Sequence, residues 1–196
     1  MKNNAADQPE NGFSVGRLQR MGDEILGLLG IALLFVGIAL VSNGVCILGK
    51  VDGKSMAAMN LITAFVIIAG NLIALSKAAS FDVFAHQNVA SGFLFGFTYL
   101  FIAANNLFKL DLRPFGWFSF FVAVYAAIMC VFSATSADPG HVKFALLWGA
   151  WAILWLEGFL ELAAGLRIGK IFPYLSIVEG VFAAFIPAVL MLTEKW

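Results

Sequence analysis

The sequence predicts an all-α integral membrane protein with six transmembrane helices. Three observations predict it. The chain of 196 residues is 61% hydrophobic and 12% charged, where a soluble domain is roughly half apolar and about a quarter charged. Its apolar residues gather into six runs, each near the ~20 residues that cross hydrocarbon. The connections between the runs are short, which leaves no room for a separate soluble domain.

The runs cover residues 25–48, 56–75, 89–108, 115–134, 143–164 and 171–192. They are continuous rather than alternating, so the pattern is not that of a β-barrel. A helix satisfies every backbone amide within its own segment, as lipid requires. Residues 1–24 are polar, carry Pro9, Asn11 and Gly12, and read as a disordered tail ahead of a six-span domain over 25–196. The run after the tail is too long for a signal peptide. Met21 is an alternative start.

Three connections are alike. Residues 49–54 carry Lys50 and Lys54, residues 109–114 carry Lys109 and Arg113, and residues 167–170 carry Arg167 and Lys170. Each joins an odd span to the next even one, and 115–119 and 172–176 follow two of them with related strings. The pattern reads as three helical hairpins, a degenerate repeat. The opposite connections hold only Lys77 and Lys143. Counting cations puts the basic linkers in the cytoplasm and both termini outside, with Arg17 and Arg20 arguing the other way.

A formal net charge of zero gives no reason to expect nucleic-acid binding. Cys46 and Cys130 sit in apolar runs and read as packed, reduced thiols. Their number and spacing suit neither a metal site nor a disulfide framework. No phosphate-cradling loop, HExxH motif or nucleophile elbow is present, so neither an enzyme nor a cofactor is expected. No span carries a lysine or arginine at its centre, which disfavours an anion path or a voltage sensor. What remains is a pathway for something neutral.

Several side chains stand out within the spans. Trp148, Trp151 and Trp155 are spaced i, i+3, i+7, so one helix face carries all three at successive depths. Tryptophan in a spanning helix normally gathers at the interfaces; a ladder running inward suggests a contact surface for a flat, partly polar partner. Glu157 and Glu161 share a face, expected to point away from Trp155. They either carry function, pair with a neighbouring cation or contact another subunit. Glu179 lies deep in the sixth span, as a hydrogen-bond acceptor for an N–H donor or as glue between helices. Phe95 and Tyr99 share a face of the third span, where Gly92 and Gly96 allow close helix approach. Leu33, Val36 and Leu40 make an apolar stripe on the first span, and Asn43 below them requires a hydrogen-bond partner.

Four strings, in order, carry a resemblance. They are Leu33-Leu34-Phe35-Val36-Gly37 with Val41-Ser42-Asn43-Gly44, then Gly92 through Leu100, then Trp148 through Leu156, then Val178-Glu179-Gly180, with Leu112-Arg113-Pro114 between. From about Leu28 onward the chain resembles the bacterial urea and short-chain amide channel family (AmiS/UreI). That resemblance implies a hexameric ring in the bacterial inner membrane, a separate pore in each protomer, and both termini outside. It places the pore lining on Leu33, Val36, Leu40, Phe95, Tyr99, Trp151, Trp155 and Glu179, with Asn43 and Trp148 in support.

The implied function is passive passage of urea or short-chain amides such as acetamide, with membrane lipid and five further copies of the chain as partners. A proton-coupled amide transporter is the alternative, and an integral-membrane enzyme stands third. The acid-gated urea channel of this family has a long outer loop rich in histidine and acid. Here the matching connection is 76–88, with His86 and Asp82. Strong acid gating is therefore not expected, and His86 and His141, the latter beside Asp138, are the candidate titrators.

Overall fold

The computed structural model describes residues 10–78, 83–166, 169 and 171–196, with side chains from Glu24 onward. It contains α1 (Glu10–Ile47), α2 (Gly53–Lys77), α3 (Val83–Phe108), α4 (Arg113–Ala134), α5 (His141–Leu162), α6 (Ile171–Glu179), a π-helical segment (Gly180–Phe185) and α7 (Ile186–Leu192). The last three form one continuous sixth span. Among the described residues, six stretches are long and apolar enough to cross a bilayer, from Glu24–Ile47 through Ile171–Leu192. Among the described residues there is no strand.

Three boundaries differ from expectation. α1 begins at Glu10, upstream of the apolar run that starts at residue 25; residues 1–9 lie outside the described residues. Good helix formers such as Leu18, Gln19, Arg20 and Met21 let the ladder of backbone hydrogen bonds run on past the apolar stretch. α3 begins at Val83 rather than 89, because polar His86, Gln87 and Asn88 sit readily on a helix that emerges from lipid. The sixth span is interrupted by a π segment between Glu179 and Pro187. Proline removes an N–H and crowds the preceding turn, and a widened turn is one way to absorb that.

The linkers are built for sharp reversals. Asp52 caps α2, its carboxylate accepting from the Ser55 amide at 2.9 Å. That backbone contact holds the Asp52 carboxyl below the usual carboxylate range. Asp111 is gripped by the Arg113 guanidinium, with an Nη2 to Oδ2 distance of 2.6 Å, and it too is held low. Gly49 ends α1 with φ +76°, the left-handed conformation that glycine adopts freely.

The pairing of helices differs from the expected hairpins. α2 packs most extensively on α3, α4 on α5, and α1 on the sixth span, while α1 and α2 touch less. The tight pairs therefore form across the other set of connections, and across the two ends of the chain. Small residues decide this. A Cβ on Gly92 would overlap the Asn71 amide, and one on Gly96 would stand 2.8 Å from Ile68 Cγ1, so α3 closes on α2. A Cβ on Gly37 would stand 2.8 Å from the Gly180 carbonyl, so α1 closes on the π segment. Ser176 then donates to the Leu40 carbonyl at 2.8 Å, fixing the register of that crossing.

Candidate functional site: two cavities and an aromatic neck

The bundle holds a cavity toward each of its ends. The first, of about 190 Å³, lies where Glu24 and Lys77 meet, and is called the tail-side cavity. The second, of about 320 Å³, lies toward the basic linkers. Phe95 and Trp151 line both. The two cavities thus approach each other at one aromatic contact inside a single protomer.

That neck is tightly built. The ring of Phe95 meets Trp151 edge-on at 4.9 Å and Trp155 at 4.7 Å, and lies 6.4 Å from Trp148. Trp148 and Trp151 are themselves close to perpendicular at 5.0 Å. Edge-to-face pairs of this kind contribute about 0.5–1.5 kcal/mol each beyond their area burial, so the rings hold one another. Trp151 is only 3% exposed, and its indole N–H has no hydrogen-bond partner. A buried donor left unpaired is rare in native proteins.

The expected residues fall out along this axis. Leu33, Val36 and Trp148 line the tail-side cavity. Leu40, Asn43, Tyr99 and Trp155 line the linker-side cavity. The Asn43 amide is fully engaged with its neighbour Asn60: each donates to the other at 2.8 Å, and Asn60 donates also to the Met56 carbonyl at 2.9 Å. Asn43 therefore braces α1 against α2 as well as lining the wall. Among the described residues no hydrogen bond reaches the Tyr99 hydroxyl.

Three acids sit otherwise than expected. Glu179 is 5% exposed and lines neither cavity. Its helix turns Ser176 toward the linker-side cavity instead, and the π segment begins immediately after it. Glu161, expected to face away from Trp155, lines the linker-side cavity beside it. Glu157 is buried, lines neither cavity, and has no hydrogen bond to either carboxyl oxygen. No cation pairs with it among the described residues; its electrostatic neighbours are Glu161 and Glu179. Both histidines lie outside the cavity linings. His86 is exposed near the start of α3, and His141 stands 3.2 Å from Asp138 at the start of α5.

Sequence reasoning missed the amides of the cavity walls. Asn71 and Asn88 line the tail-side cavity, and Asn105 and Asn106 the linker-side one. The signal was present, since an asparagine inside an apolar run requires a partner. Only Asn43 stood out.

Six apolar helices around cavities that meet at a neck make the architecture of a polytopic membrane channel or transporter. The chain belongs to the AmiS/UreI family of transporters, whose family model matches residues 28–195. It is 38% identical to an acid-activated urea channel of Helicobacter pylori, over 86% of this chain and 100% of that one. It is 35% identical to a Mycolicibacterium smegmatis protein described as a putative transporter of amidate substrates, over 85% of this chain and 78% of the other. A crystal structure of the urea channel from Helicobacter pylori superposes with a TM-score of 0.77 at 40% identity, covering 86% of this chain and 99% of that one. A cryo-EM structure of the Helicobacter pylori channel in a closed state matches with the same TM-score of 0.77 at 39% identity and the same coverage.

Proposed function

We propose that this chain is a passive channel for small neutral amides, urea or short-chain aliphatic amides such as acetamide. The observation that carries this is the meeting of two cavities at Phe95 and Trp151 within one protomer. An apolar neck costs an ion many kcal/mol of lost hydration and a neutral amide far less. Flat aromatic faces and a spare indole N–H replace part of the solute's water without holding it tightly. Leu33, Val36, Leu40 and Phe95 supply the apolar narrowing, Trp151 and Trp155 the stacking faces, and Tyr99 and Trp151 the polar partners.

The protein works as a hexameric ring in the bacterial inner membrane, with the basic linkers in the cytoplasm and both termini outside. The run of cations in those linkers and the apolar outer surface, with Phe65, Phe121 and Phe182 among its most exposed side chains, support this. Strong acid gating is not expected, since both histidines lie outside the cavity linings.

The purified protein in proteoliposomes is expected to speed urea and acetamide entry over empty vesicles in stopped-flow light scattering. Entry stops at equal concentrations and is indifferent to an uncoupler. Accumulation against a gradient that an uncoupler abolishes would instead establish the second reading, a proton-coupled transporter. The buried carboxyls of Glu157 and Glu179 are the observation in favour of that reading. Glu179→Gln separates the two. Passive flux survives, because Glu179 lines neither cavity, whereas coupled transport, which needs a carboxyl to carry the proton, is lost.

Cys46 gives a native probe of the same pathway. It lines the linker-side cavity, whereas Cys130 lines neither. A charged thiol-reactive methanethiosulfonate applied on the cytoplasmic side is expected to slow urea flux, and Cys46→Ser to resist it. Block from the opposite side alone would reverse the assigned orientation.

A further inference from the structure

The tail-side cavity has two unlike walls. Leu29, Ala32 and Leu33 of α1, with Phe144 and Trp148 of α5, make an apolar wall; Asn71 of α2 and Asn88 of α3 face it from the other side. The Asn71 amide is fixed by a 2.7 Å bond from its Nδ2 to the Ile67 carbonyl. That bond turns its Oδ1 into a free acceptor, since no donor reaches it among the described residues. Its seat exists because residue 92 is glycine: a Cβ there would overlap the Asn71 amide. Asn88 presents the complement, a buried Nδ2 with no hydrogen-bond partner. The terminal torsion of asparagine is soft, so a small turn of that amide brings the donor to the cavity. Gly92 lies one turn from Phe95, about 4.5 Å along the axis, so this wall stands directly before the neck.

We infer that Asn71 and Asn88 form an amide-reading station in the tail-side cavity, about one to two helical turns before the neck, which selects solutes carrying a primary carboxamide or urea head. The inference rests on the pathway proposed above. A solute carbonyl accepts from Asn88 Nδ2 and a solute N–H donates to Asn71 Oδ1. The protein already makes that reciprocal pair with itself, between Asn43 and Asn60 at 2.8 Å in each direction. An alkyl tail then lies on the α1 and α5 wall. A polyol of similar size also carries donors and acceptors, but on hydroxyls that rotate about single bonds rather than on one planar edge, so it loses more freedom in reaching both asparagines and gains less from the station.

The test compares acetamide with ethylene glycol in proteoliposomes by stopped-flow light scattering. Asn88→Leu, which keeps the bulk and removes the donor, is expected to lower the acetamide-to-ethylene-glycol permeability ratio about tenfold, the factor one lost hydrogen bond carries. Asn88→Gln, which keeps a carboxamide, restores part of the ratio. Should Asn88→Leu fail to assemble, the isosteric Asn88→Asp must show the same fall. An unchanged ratio in an assembled variant lacking the donor overturns the station and leaves the channel standing. If wild-type vesicles pass neither solute faster than empty ones, the channel reading fails and the station with it.

Discussion

Trp151→Ala is expected to lower urea and acetamide flux by an order of magnitude or more while the protein still assembles. Trp151 is the one tryptophan that lines both cavities, and it carries the unpaired indole N–H at their meeting point. Its removal takes away a stacking face and a donor together. It also takes away the edge-on partner that holds Phe95 at 4.9 Å, so the phenyl ring is free to fall into the gap and seal the neck. Truncating a buried tryptophan costs about 3–5 kcal/mol of stability, so assembly must be checked by size exclusion alongside the flux. Trp151→Phe separates the contributions: it keeps a ring and loses the N–H, and an intermediate flux is expected. Trp155→Ala acts in the same direction with a smaller effect, because Trp155 lines the linker-side cavity alone. Unchanged uptake in both alanine variants would remove the tryptophans from the pathway.

Gly37→Leu is expected to abolish the folded assembly. The Cβ it adds would lie 2.8 Å from the Gly180 carbonyl oxygen and 2.8 Å from the Phe185 backbone nitrogen. Both are main-chain atoms of the π segment, which cannot swing aside as a flexible side chain does. Overpacking of a close contact costs about 1–3 kcal/mol even where side chains relax; here α1 must separate from the sixth span. That separation breaks the Ser176 bond to Leu40 and opens the linker-side cavity to lipid. The measurement is a thermal melt of the detergent-solubilised protein with size exclusion. A Gly37→Leu protein that melts at the wild-type midpoint would show that the crossing is not a close one.

Much of this architecture is legible in the sequence. The number of spans and their approximate limits follow from local patterns. So does the placing of Leu33, Val36, Phe95, Tyr99, Trp151 and Trp155 at cavity walls, once helical spacing is joined to the family resemblance. The missed features share a physical cause. Which helices pair depends on where small residues meet across different spans, such as Gly92 against Asn71 or Gly37 against Gly180, and no single-helix periodicity records that. The burial of Glu179 away from both cavity linings depends on the rotation of its helix just before a π turn. Glu161 lies three residues past Gly158 and seven past Leu154, and all three line the linker-side cavity; only the packing around α5 decides that this face meets the cavity.

The amino-acid sequence by itself determined that the chain crosses a membrane six times as helices, because lipid offers backbone amides no other partner. It also determined that no fixed cation sits at the centre of any span. Only the tertiary structure decided that α2 closes on α3 and α1 on the sixth span, that two cavities meet at Phe95 and Trp151, and that two asparagines stand before that neck. These are relations between residues far apart in the chain, and contact distances between helices, rather than the pattern along any one of them, settle which side chains share a wall.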